Sequence, residues 1–246
     1  MSEAAQYMPE MALPAVRMPR RRYEWLGAVA LVALVAAQLF GVLTSPPDRD
    51  MGHLQKIMYV HVPAAWSAFI AFFIVAVASL LYLWKGQEKH DLLAAAAAEV
   101  GAVLIGLALM LGSIWARPTW GVWWTWDPRL TLTAVTFLIF VGYLSLRSFV
   151  DDPDRRAQWS AAVGILGALN VPVVYMSVKW WRTIHQVQST RGTVDPQYAL
   201  GLEANGIAFL IVLAYFILKR YRAAQLERAA EHRRERAALG MEVSDV

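Results

Sequence analysis

Trp120-Gly121-Val122-Trp123-Trp124-Thr125-Trp126-Asp127-Pro128-Arg129-Leu130-Thr131 packs four tryptophans into seven residues. It lies between two apolar runs, 92–115 and 130–150, each long enough to cross a hydrocarbon core, which takes about 20 helical residues. That density of indoles exceeds what core packing or chance supplies. Flat, rigid, amphipathic rings gathered at a membrane surface form a platform for a flat ligand.

Outward from this stretch, the chain reads as a membrane protein throughout. Its 246 residues are 58% apolar, with mean hydropathy +0.40, outside the range of ordinary soluble domains. Six runs are long enough to span: 25–43, 59–84, 92–115, 130–150, 160–180 and 199–218. The expected fold is all-α, one six-helix transmembrane domain over 25–218 between tails at 1–24 and 219–246. No separate soluble domain fits, and no cleavable signal peptide is expected, since the first run is a full span without a small-residue cleavage site. The tail over 219–239 is rich in Ala, Arg and Glu and is expected to be helical.

Orientation follows from the basic residues, which resist translocation. Sixteen Lys and Arg collect with the two tails and the loops on their side, against seven on the side of the tryptophan stretch. Both termini are therefore expected in the cytoplasm, with the tryptophans outside. The net charge of +4 reflects this topology and implies no nucleic acid. The chain has no cysteine, which excludes disulfides, thiolate ligands and thioether attachment of a cofactor.

An aromatic belt would distribute tryptophan over both interfaces. Here Trp115, Trp120, Trp123, Trp124, Trp126, Trp180 and Trp181 fall outside and only Trp25, Trp84 and Trp159 inside, an asymmetry that favours a site. A short helix over 119–127, between Pro118 and Pro128, would place Trp120, Trp123, Trp124 and Asp127 on one face. Asp127 is expected to orient an indole N–H or to pair with Arg129.

Of five histidines, His90 and His232 are expected in the cytoplasm, and His53, His61 and His185 outside with the tryptophans. His61 heads the second span, with Pro63 in its first turn, and His185 lies in the last outer loop. Imidazoles from two loops flanking an aromatic shelf suit the two axial positions of haem iron. His53, on a loop opened by Pro46-Pro47, is the weaker candidate. Arg117, Arg129, Lys179 and Arg182 are available to the propionates, for which Arg offers bidentate bonding. Glu99 lies about two turns into the third span, toward the cytoplasm and away from the shelf. It is expected either to bond a neighbouring helix as a protonated carboxyl or to serve transport. Asn170 and Pro172 mark a polar contact and a kink within the fifth span.

The stretch from Trp120 to Thr131 resembles the tryptophan-rich WWD signature of the haem-handling proteins of cytochrome c maturation. Length and six spans point to the CcmC family among them, and the resemblance covers the chain apart from its tails. It implies non-covalent, transient binding of haem b on the periplasmic face of the bacterial inner membrane. Trp120, Trp123, Trp124, Trp126, Asp127 and Arg129 would form the site, and His61 and His185 match the family's outer histidines. It further implies delivery to the haem chaperone CcmE, with the small protein CcmD and the ABC-type subunits CcmA and CcmB as partners alongside membrane lipid. Because the chain has no Walker A pattern, ATP use would lie in a partner. Pro128 stands where Ala is common and stiffens the loop. Whether such haem transfer counts as enzymatic is a matter of definition. Two rival readings are a redox subunit that retains its haem and a solute permease built around Glu99, Asn170 and Pro172. The first expects histidine pairs buried mid-span, which the sequence lacks, and the second an internal repeat, which is not apparent.

Overall fold

A computed structural model describes residues 21–190 and 192–238; the first twenty residues, Arg191 and the last eight lie outside the described residues. Six helices follow in order: α1 (Arg21–Thr44), α2 (Met58–Lys85), α3 (Glu88–Trp120), α4 (Pro128–Phe149), α5 (Pro153–Trp180) and α6 (Pro196–Ala238). Each contains a segment long and apolar enough to cross a membrane, and no strand occurs among the described residues. The side carrying the tryptophan loop is called outer below.

The helix ends follow local chemistry. Gly86 (φ 63°) and Gly121 (φ 79°) take the left-handed conformation that closes α2 and α3, which costs glycine nothing. Asp127-Pro128 and Asp152-Pro153 start α4 and α5 in the same way, a carboxylate at the cap and proline in the first turn. The short helix expected over 119–127 does not form. Instead α3 runs through Pro118 to Trp120, stops at Gly121, and leaves 122–127 non-helical. A proline removes one backbone donor and disturbs the turn before it, so a helix already under way can carry it two residues from its end.

Helix α2 sits at the centre, packed on α3, α5 and α6, while α1 lies outside against α6 and α4 against α3 and α5. Fully buried Ala64, Ala68, Ala71, Ala97 and Ala98 let α2 and α3 approach closely. Large apolar side chains such as Phe73, Val103, Leu138 and Ile207 face outward, as lipid contact requires.

Polar residues within the spans tie helices together. Pro63 lies inside α2 rather than in its first turn, because α2 starts five residues earlier, at Met58. Its missing N–H leaves the Tyr59 carbonyl without an intrahelical donor, and Gln38 of α1 donates to that carbonyl at 3.1 Å. Gln38 also donates to Asn205 of α6 at 2.6 Å, and Asn205 to the Ala37 carbonyl at 2.9 Å. Asn170 of α5 donates to the Leu132 carbonyl and Thr136 hydroxyl of α4 at 3.1 and 2.8 Å. Glu99, the isolated carboxyl of the sequence, forms a two-pronged ion pair with Arg220 of α6. The helical tail is borne out as far as Ala238 and continues α6 without a break; Arg228 there reaches Glu88 at 2.5 Å.

Candidate functional site

His61 projects from α2 toward α3, its Nδ1 2.9 Å from the Ala108 carbonyl. A carbonyl only accepts, so Nδ1 carries the proton and Nε2 keeps a free lone pair. The ring fits because α3 has glycine at 112: a Cβ there would lie 3.0 Å from His61 Cε1. Trp115 meets the imidazole edge-on, with centroids 5.9 Å apart.

His185 lies beyond α5 and has the same polarity. Its Nδ1–H donates to the Gln186 carbonyl at 2.8 Å, again leaving Nε2 free, and Trp120 meets it edge-on at 6.1 Å. Burial, and then the Arg129 charge, hold its pKa below the ordinary histidine value, outweighing the carbonyl of Gln186 and the carboxylate of Asp127. These surroundings therefore favour the neutral imidazole over the charged one.

Asp127 holds His185 in place. One carboxylate oxygen accepts the Arg129 N–H at 2.9 Å and so caps α4; the other accepts the Ile184 N–H at 2.9 Å. A single side chain thus fastens the tryptophan stretch to the last outer loop, one residue before His185. Burial disfavours this charge, but hydrogen bonds from Thr183, Ile184, Arg129 and Leu130 outweigh it and keep the carboxyl below its usual range. Of the two partners expected for Asp127, Arg129 is met through its backbone N–H, and the place of an indole N–H is taken by Thr183 and Ile184.

Both imidazoles line one cavity of about 630 Å³ at the outer end of α2, α3, α4 and α5, within the span of small-molecule and cofactor sites. Trp66, Trp115, Trp120, Trp124 and Arg129 share its wall. Arg129 Nη1 and Trp115 Nε1 are buried without a hydrogen-bond partner, two donors suited to an anionic or polar rim. A mostly apolar chamber with two imidazole lone pairs and an unsatisfied guanidinium nitrogen fits a flat, metal-bearing ligand with acidic substituents.

The eight residues singled out in the sequence separate into groups. His61, His185, Trp120, Trp124 and Arg129 line the cavity; Asp127 lies behind it; Trp123 and Trp126, at 58% and 81% exposure, point away from it. His53, in the turn before α2, does not line it, nor do Arg117, Lys179 and Arg182. Gly112, which makes room for the His61 ring, is a site residue that residue type did not mark. The signal for its role was its spacing, three residues before Trp115 on the helix facing His61.

The family model described as heme exporter protein C, CcmC, matches residues 9–236. Similar proteins include a heme exporter protein C of Bradyrhizobium diazoefficiens, 38% identical over 83% of this chain and 79% of the relative. Another is the heme exporter protein C of Escherichia coli K12, 34% identical over 85% of this chain and 89% of the relative. That of Paracoccus denitrificans is 35% identical over 79% and 83% respectively. A match over nearly the whole length, with the outer cavity at its centre, makes this chain a member of the CcmC family.

Proposed function

We propose that this chain handles haem for the maturation of c-type cytochromes. In this reading it holds haem b at the periplasmic face of the bacterial inner membrane, with both chain ends in the cytoplasm, and yields it to the haem chaperone CcmE. The supporting observation is the pair of histidines, each with Nδ1–H committed to a backbone carbonyl, lining one cavity with Trp120, Trp124 and Arg129. Haem here is cargo. Nε2 of His61 and of His185 would take the iron, the indoles the macrocycle, and Arg129 a propionate. Fixing the outer nitrogen of each imidazole orients the ring and sets its tautomer.

Release belongs to the same design. With no cysteine in the chain, the grip would be non-covalent throughout, from stacking, two axial bonds and the Arg129 contact, so an acceptor that forms a covalent bond to the haem draws it away. Holding the macrocycle in a fixed pose favours that bond without a catalytic residue here. CcmD and the ABC-type subunits CcmA and CcmB are the proposed partners, and ATP use rests with them. Two of the three residues of the permease reading are committed to other contacts: Glu99 is paired with Arg220, and Asn170 donates to α4.

Complementation tests the proposal. In a bacterium lacking its own CcmC, this chain is expected to restore haem-stained c-type cytochromes, and the His61→Ala and His185→Ala variants, inserted to the same level, are expected not to. Restoration by both variants would overturn it.

A further inference from the structure

The cavity is closed toward the inner side, and its exposed lining lies in two places, at the outer mouth (Thr119, Gln186, Val187) and on one flank. On α2, α3 and α4 the next turn toward the inner side is packed shut: Phe72 on α2, Ile105 on α3, Thr136 and Phe140 on α4 are all fully buried. Phe72 and Phe140 stack face to face across this floor, with centroids 3.7 Å apart and planes 5° from parallel. Two glycines make room for them. A Cβ at Gly101 would come within 2.6 Å of the Phe72 ring, and one at Gly167 within 3.0 Å of Phe140. Below the stack, Tyr143 packs on Phe140, and the Asp91–Arg147 ion pair at 2.6 Å bridges α3 and α4. A planar macrocycle would have to separate all of these to pass along the bundle axis, and close-packed cores do not yield that readily.

The flank between α2 and α5 differs. Ile70 of α2 and Pro172 and Tyr175 of α5 line the cavity and are also exposed on the outside of the bundle. Ile70 is about 18 Å along α2 from Met58, and Pro172 about 12 Å along α5 from Trp180, so this opening lies in the outer half of both helices. The lipid-facing row Phe73, Val77 and Leu80 continues from Ile70 down α2.

We propose that the cavity is a blind pocket loaded sideways from the lipid: the flat cargo enters between α2 and α5 in the outer half of the bilayer, and the Phe72–Phe140 stack shuts the route from the cytoplasmic half. This rests on the reading of the cavity as a haem site. Haem, a hydrophobic plane with a charged edge, would slide in with its ring in lipid and its propionates trailing at the interface, toward Arg129.

The test uses the full chain in lipid nanodiscs mixed with haem-doped vesicles and follows the Soret band over time. Ile70→Trp narrows the flank, Leu80→Trp adds the same bulk on the lipid face below the cavity, and Phe72→Ala opens the floor. Ile70→Trp is expected to slow loading about tenfold, Leu80→Trp to load at the wild-type rate, and Phe72→Ala added to Ile70→Trp to load faster than Ile70→Trp alone, through the opened floor. Should Phe72→Ala fail to insert, Phe140→Leu repeats the floor test. Wild-type loading by Ile70→Trp would overturn sideways entry, and no gain in rate when a floor variant is added to Ile70→Trp would overturn the stack as the seal. A wild-type chain that acquires no Soret band would overturn the site reading itself, so the two failures are distinguishable.

Discussion

Asp127→Ala removes two restraints at once, and their sizes can be worked from the contacts. The Arg129 N–H loses its cap, worth about 0.5–2 kcal/mol. The Ile184 N–H, which donates to the other carboxylate oxygen at 2.9 Å, is left without its acceptor, a cost of about 1–3 kcal/mol. Together the variant is expected to be about 2–4 kcal/mol less stable, with the loop that carries His185 released from α4. Asp127→Asn keeps one accepting oxygen and is expected to fall between. The assay pairs thermal unfolding of the purified chain with the spectrum of its haem-loaded form. If Asp127 acts through the loop, Asp127→Ala reproduces the His185→Ala spectrum. Combining the two then lowers haem retention no further than His185→Ala alone, since residues acting as one unit are not additive. Additive losses, or a wild-type spectrum in Asp127→Ala, would refute this reasoning.

Three other outcomes are expected. Gly112→Ala places a Cβ 3.0 Å from His61 Cε1 and displaces the ring from the Ala108 carbonyl. Haem titration should show affinity about tenfold lower, the usual scale for disturbing a ligand's supporting bond, while thermal stability holds or rises because alanine favours the helix. Trp124→Ala should retain less haem than wild type in a chase with apomyoglobin, and Trp126→Ala as much, since only Trp124 lines the cavity. For pH, the folded-state pKa of His185 is depressed, so the neutral form, the one that could bind iron, persists below the ordinary histidine value. Below that value the unfolded chain takes up a proton that the folded ring still excludes, so stability falls as the pH drops. A stopped-flow pH-jump should therefore find haem release beginning at a pH below 6.5, the ordinary histidine value, and not at it.

The spans were legible because about twenty apolar residues in a row have few alternatives to crossing a bilayer as a helix. Their ends were less so. Helix α2 starts before the histidine it presents, because Gln38 supplies the donor that Pro63 removes, a contact between residues on different helices. The partner of Glu99 was hidden for a similar reason: Arg220 lies 121 residues away, in a stretch read as tail. Within the site, His61, His185 and Arg129 stood out by residue type and by their position flanking the tryptophans. Sorting the indoles was beyond residue spacing, since a helical loop would have put Trp123 beside Trp124. The left-handed turn at Gly121 turns Trp123 outward instead. Asp127 was recognisable as a structural residue, but its acceptor role toward Ile184 depends on a loop 57 residues further on.

The account stands or falls on the iron ligands. Electron paramagnetic resonance of the haem-loaded chain in its ferric state should show low-spin iron with two imidazoles, and His61→Ala and His185→Ala should each abolish that signal. Persistence of the same two-imidazole signal in both variants would contradict it.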